Sequence, residues 1–235
     1  MRAVFTAACF LVSSASADII IDDFDDPAHS VSPAMDNVFV PTEHVGPLDA
    51  FREIRLSSFG ADPDATMQIA GGQMRATVGD LHGTGNLRPQ FGAQLYYEFE
   101  PTDFSSGNAF LFDFKSVSGS VLPEAIRVLI FDDDPRYSYY AEFKPVPAGS
   151  YTAAIPFADF IRRDGVPHDI NFTKIWRVWP DIYANQNLAD YSNHNWTIEV
   201  ERIRVGTVPE PRRLYWFLFT VFLWRKRRWE PFCWS

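Results

Sequence analysis

The chain has 235 residues, 46% hydrophobic and 16% aromatic, with a formal net charge of −9 and a pI near 5.0. Six cations and one acid fall after residue 211, so the rest is more acidic still; such a field repels phosphate backbones and excludes nucleic acid as a partner. The only cysteines are Cys9 and Cys233, near the two ends, so neither a disulfide nor a cysteine-built zinc site holds the body between them.

In chain order, residues 1–17 carry one cation (Arg2), a short apolar run and the small residues Ala15-Ser16-Ala17. This is the order of a secretory signal peptide, with cleavage expected after Ala17. Residues 18–206 then form one domain with a period-two pattern. Strands are predicted at "FREIRLS", "MQIA", "QMRATV", "QLYYEF", "AFLFDF", "AIRVLIF", "YSYYAEF", "SYTAAI", "TKIWRVW" and "NWTIEVERIRV", separated by clusters of Gly, Pro, Asp and Asn. In "AFLFDF" the alternation places Phe110, Phe112 and Phe114 on one face. The single helical candidate is one turn at "PFADFIRR", opened by Pro156, with Phe157, Phe160 and Ile161 on one side. The last strand changes phase, from Trp196, Ile198 and Val200 to Ile203 and Val205, which predicts a β-bulge near Glu201-Arg202. Short strands with almost no helix specify an all-β fold, a sandwich or barrel. Residues 207–213 contain Pro209-Glu210-Pro211 and form an extended spacer. Residues 214–235 are a membrane-anchor tail: an uncharged run, Leu214 to Trp224, expected to form a short apolar helix, then Arg225-Lys226-Arg227-Arg228 in stop-transfer order.

Together, the signal peptide, Pro209-Glu210-Pro211, the apolar run and the basic cluster resemble the PEP-CTERM class of bacterial sorting signals. The resemblance implies export, transient membrane tethering, recognition of Pro209, Glu210 and Pro211 by an exosortase-type transpeptidase, and release to the cell surface or extracellular polymer. It covers about 30 residues; Arg212-Arg213 and an eleven-residue apolar run, shorter than a bilayer core, depart from the pattern. The body, from "IIIDDFDD" through "IPFADF" and "KIWRVWPDI" to "WTIEVERIRVG", resembles galactose-binding-like jelly-roll modules. That implies a jelly-roll β-sandwich, carbohydrate as ligand and, in many such modules, a structural calcium ion.

Two candidate sites follow. Asp22 and Asp23 on the first strand and Glu199 and Glu201 on the last offer hard oxygens that converge on calcium if those strands pair; Asp132-Asp133-Asp134 is a second acidic cluster. For sugar, aromatic faces and amides are richest between Trp176 and Trp196, chiefly on the long loop "PDIYANQNLADYSNHN". Trp176 and Trp196 read as core residues, leaving Tyr183, Asn185, Asn187, Tyr191 and His194 as ligand candidates. Glu199 and Glu201 share a strand face roughly 7 Å apart, a separation glycosidases use. No nucleophile elbow, zinc-binding His pair or clustered histidine accompanies them. The expectation is a non-catalytic, exported, polysaccharide-binding surface or matrix protein. The alternatives are a secreted polysaccharide hydrolase and a purely structural matrix protein.

Overall fold

A computed structural model describes residues 17–26, 29–31, 38–59, 61–83, 90–165, 169–184 and 195–208. They form a jelly-roll β-sandwich of two antiparallel sheets. The strands are β1 (Ile19–Asp22), β2 (His29–Val31), β3 (Val38–Val45), β4 (Ala50–Phe59), β5 (Ala61–Ile69), β6 (Met74–Gly83) and β7 (Gln90–Thr102). They continue as β8 (Ala109–Gly119), β9 (Ala125–Phe131), β10 (Tyr139–Phe143), β11 (Tyr151–Pro156), β12 (Ile161–Arg162), β13 (Ile175–Ala184) and β14 (Trp196–Gly206). The first sheet runs β11-β8-β14-β6-β5-β2, with β1 also on β14; the second runs β12-β10-β9-β13-β7-β4-β3. The chain changes sheets between β2 and β3, β4 and β5, β6 and β7, β7 and β8, β8 and β9, β10 and β11, β11 and β12, and β13 and β14. Strands adjacent in sequence are therefore often on opposite layers.

All ten predicted segments lie on strands, and their parity sets the core. Phe110, Phe112 and Phe114 of β8 point inward, facing Ile126, Val128 and Ile130 of β9, Val178 and Ile182 of β13, and Leu95 and Tyr97 of β7 across the sandwich. Burying one such side chain contributes about 1.5–3 kcal/mol before entropy is counted. The predicted bulge is present. The β14–β8 register shifts between Val200 and Arg202, both Glu201 and Arg202 are exposed, and Trp196, Ile198, Val200, Ile203 and Val205 are all buried. It also divides one edge of β14: β6 pairs with Trp196–Val200, and β1 with residues 203–205.

The predicted helical turn is a 3-10 turn, Phe157–Asp159. Phe157 stacks on Phe172 at 4.0 Å and Phe160 packs on Phe110 at 5.6 Å. Ile161 does not join them. The backbone becomes extended at Phe160, so Ile161 turns outward on the edge strand β12 and is 53% exposed. Among the described residues no helix is long and apolar enough to cross a membrane. The spacer motif and the apolar tail lie outside the described residues. The last described segment is fastened by Asn108: its side chain bonds both the N–H and the C=O of Val208, and its own N–H bonds Gly206.

One polar cluster lies inside the sandwich. Asp22 has no exposed surface, and its Oδ2 accepts from Arg52 Nη1 at 2.7 Å and from the Tyr97 hydroxyl at 2.7 Å. Its Oδ1 accepts the N–H of Phe24, which adopts a φ of +59° in the turn after β1. Arg52 also bonds both oxygens of Asp26. The β3–β4 hairpin comes close enough to β1 to seat Arg52 because Gly46, at φ +62°, has no Cβ; one there would lie 2.6 Å from the carbonyl of Ile21.

Candidate functional site

The outer face of the second sheet carries the densest set of polar and aromatic side chains. It is built from the positions that alternate with the core. On β13, Val178, Pro180 and Ile182 are buried, while Arg177, Trp179, Asp181 and Tyr183 face out. The registers align these with outward residues on the flanking strands. Tyr140 of β10 lies opposite Leu129 of β9, which lies opposite Trp179; the Trp179 ring meets Tyr96 of β7 edge to face at 5.8 Å. This apolar row crosses four strands, roughly 15 Å at the usual strand spacing. A parallel polar row runs Glu142–Arg127–Asp181–Gln94–Arg55 on β10, β9, β13, β7 and β4.

Between the rows lies a cleft of about 450 Å³ lined by Gln94, Arg127, Leu129, Tyr140, Glu142, Arg163, Trp179 and Asp181. One side of it is internally satisfied. Glu142 Oε1 accepts from Arg127 Nε at 3.0 Å and Nη2 at 2.7 Å and from the Tyr183 hydroxyl at 2.9 Å; its Oε2 accepts from Lys144 at 2.8 Å. Burial opposes the charge of Glu142, but the bonds from Lys144, Arg127 and Tyr183 outweigh it and hold the carboxyl down at about 2. The Arg127 guanidinium also lies 4.6 Å over the Tyr183 ring, fixing both side chains.

The other side of the cleft is not satisfied. Burial pushes the Asp181 carboxyl up to about 6, against the charge of Arg127 and a hydrogen bond from Gln94. Asp181 Oδ1, Gln94 Oε1 and Trp179 Nε1 are all buried and have no partner among the described residues. Such groups are rare, and each costs about 1–3 kcal/mol. Two acceptors and one donor beside an indole face are what a polyhydroxylated ring complements: its hydroxyls both donate and accept, and its C–H face packs on the aromatic.

Of the sequence-predicted ligand residues, Tyr183 is on this face, on the strand rather than a loop, and bonded to Glu142 and Arg127. Asn185, Asn187, Tyr191 and His194 lie outside the described residues. Trp196 is core, as expected; Trp176 is half-buried, with the Arg177 guanidinium 4.2 Å over its ring.

The four residues proposed for calcium do not come together, although β1 and β14 do pair. Asp22 points into the core, where Arg52 already supplies the positive charge. Glu199 points out of the same sheet and accepts from Ser116 at 2.8 Å, with Arg75 3.8 Å away; Glu201 is exposed at the bulge, and Asp23, next to Asp22, is half-buried. In the second acidic cluster each carboxylate has its own partner: Asp132 accepts backbone N–H groups, Asp133 meets Lys174, and Asp134 meets Arg136. Among the described residues no group of three or more His, Cys, Asp or Glu is placed to hold a metal ion. As placed, Asp22, Asp23, Glu199 and Glu201 do not form a calcium site.

Trp179 lies within the aromatic stretch that the sequence offers for sugar, between Trp176 and Trp196, whereas Gln94, Arg127, Glu142 and Asp181 are not among the sequence candidates. Their signal was present as the outward parity of "QLYYEF", "AIRVLIF", "YSYYAEF" and "KIWRVWPDI", but only the strand order makes one surface of them.

No family model matches the sequence, and no curated protein matches it. Among solved structures the chain is similar to the family 11 carbohydrate-binding module of a cellulosomal cellulase of Clostridium thermocellum, at 16% identity and a TM-score of 0.44, over 84% of this chain and 99% of that one. It is also similar to the family 11 module of Clostridium thermocellum in complex with a β-1,3-1,4-mixed-linked tetrasaccharide, at 14% identity and a TM-score of 0.44, over 82% and 98% of the two chains. A family 29 carbohydrate-binding module is similar at 11% identity and a TM-score of 0.33, over 80% of this chain and 99% of its own. At these identities none of them says which residues touch a ligand here.

Proposed function

We propose that the chain is a non-catalytic carbohydrate-binding domain that holds an extracellular polysaccharide across the outer face of the second sheet. One observation carries this: three buried polar atoms with no partner among the described residues belong to Asp181, Gln94 and Trp179, side chains that line one open cleft beside an aromatic row. The row crosses the strands and the cleft is open, so the ligand in this reading is a stretch of linear polymer laid across β10, β9, β13 and β7. The test is retardation of the protein in native gels containing soluble polysaccharides, a β-1,3-1,4-mixed-linked glucan first. Retardation abolished by Trp179→Ala supports the reading; free migration through a broad glycan panel overturns it.

The hydrolase alternative rests in the sequence on Glu199 and Glu201, which lie on the other sheet; in this cleft it draws on Glu142 and Asp181, driven apart in pKa. The bonding of Glu142 argues against it. Four donor contacts from Arg127, Tyr183 and Lys144 occupy its oxygens, which leaves it poorly available as nucleophile or base. No release of reducing ends is expected from any polysaccharide that is retained.

The proposal extends to the cell. Residues 1–17 and the Pro209-Glu210-Pro211 tail support export, transient tethering to the membrane, and handling by an exosortase-type transpeptidase. Intact-mass measurement of the protein from fractionated cells tests both cleavages; an uncut chain in the cytosol removes this part. Calcium is not included.

A further inference from the structure

Asp181 and Gln94 are directly opposed in the β13–β7 register and point to the same outward face. The amide of Gln94 hydrogen-bonds the Asp181 carboxyl. What remains is a pair of acceptors, Asp181 Oδ1 and Gln94 Oε1, both buried and neither meeting a donor. Two acceptors cannot satisfy each other. A single proton changes that: protonated Asp181 donates to Gln94 Oε1 while the Gln94 amide donates back, closing the two-bond ring in which a carboxylic acid and an amide pair.

We propose that Asp181 and Gln94 form a proton-operated latch in the floor of the cleft, open to ligand hydroxyls when Asp181 is ionised and closed on itself when Asp181 is protonated. The inference rests on the carbohydrate-binding reading and adds its regulation. Binding is charge-assisted only in the open form, because sugar hydroxyls then donate to a carboxylate.

The surroundings isolate this one titration. From β9, Arg127 faces Asp181 but directs its Nε and Nη2 to Glu142 and Tyr183. From β10, Glu142 stays ionised down to about pH 2. Along β13, Arg177 is paired with Glu98 of β7, and Tyr183 is pushed up to about 12 by burial and by Glu142. On β4, Arg55 lies opposite Gln94, and Arg163 lines the cleft mouth beyond β12. Burial brings Asp181 to about 6, so affinity is full above pH 7 and falls as pH drops through that value. If the closed form does not bind, the apparent Kd rises about tenfold by pH 5.

Two measurements on the whole protein test this. Without ligand, the carboxyl carbon of Asp181 is followed by NMR against pH and identified by its absence in Asp181→Asn. A midpoint near 6 is expected; one near 4 overturns the latch. Retardation by a mixed-linked β-glucan, a glucomannan and a xylan is then compared at pH 7.5 and 5.0. Roughly tenfold weaker retention at pH 5.0 in the wild type, with weak and pH-flat retention of Asp181→Asn, supports it. Equal wild-type retention at both pH values overturns the latch alone. A midpoint near 6 with no retention at either pH overturns the carbohydrate reading, and the ligand half of the latch with it.

Discussion

The same two strands, β4 and β7, help build two polar clusters that face opposite ways. Inward, Arg52 and Tyr97 close on Asp22, and every oxygen of that carboxylate has a donor. Outward, Gln94 of β7 meets Asp181 with acceptors left over. In the inner cluster the Asp22 carboxylate is fully bonded, although Arg52 Nε has no partner among the described residues, and the cluster ties β1 of one sheet to β4 and β7 of the other. Among the described residues the outer cluster is left incomplete. A buried carboxylate whose oxygens are all bonded braces the fold, whereas acceptors left over beside an open cleft are candidates for a ligand's donors.

The comparison breaks most readily at Arg52. Arg52→Met leaves Asp22 buried without its cation and is expected to cost about 3–5 kcal/mol, measured by urea unfolding. A loss below about 1 kcal/mol would show that the inner cluster does not brace the sandwich. Asp181→Asn is expected to act in the opposite direction. The folded-state value of about 6 lies above the ordinary 3.8, so ionised Asp181 destabilises the fold at neutral pH, a penalty that fades as pH falls from about 6 towards 4. Two pKa units correspond to about 2–3 kcal/mol, so the variant should be more stable at pH 7 by up to that amount while binding polysaccharide less well. Unchanged or lower stability at pH 7 would mean that Asp181 is not strained as described. Trp179→Ala sharpens the contrast: polysaccharide affinity should fall at least tenfold, about 1.4 kcal/mol, with unfolding shifted by less than about 1 kcal/mol. The smallest expected effect is that of calcium. With Asp22 bonded to Arg52, millimolar calcium should leave the melting temperature unchanged within about 1 °C, and a clear rise would reveal an ion site elsewhere.

Much of the fold was legible because a strand writes its facing in period two. Phe110, Phe112 and Phe114 declared the core, and the phase change after Val200 declared the bulge. The site was not legible, for two reasons. Alternation says which side of its own strand Gln94 or Asp181 occupies but not that β7 and β13 are neighbours, since β7 and β8, adjacent in the chain, belong to different sheets. The second reason is Pro180. A proline usually ends a strand, so "PDIY" reads as the start of a loop, yet β13 continues to Ala184. The strand tolerates it because the ladder to β7 registers Val178 and Asp181 but neither residue between them, so the absent N–H falls in a gap. The reading of Ile161 failed for a related reason: one turn of 3-10 geometry before an edge strand reverses the side its last residue takes.

The fastening of Val208 by Asn108 has a mechanical consequence. Any anchor beyond that residue pulls the domain along β14, which is flanked by β8 on one edge and by β6 and β1 on the other. Ladder bonds lie across a strand, so a lengthwise tug loads many of them at once in shear instead of peeling them singly. Were the proposed tether to hold the domain while it grips a polymer, the load would run through these ladders in shear.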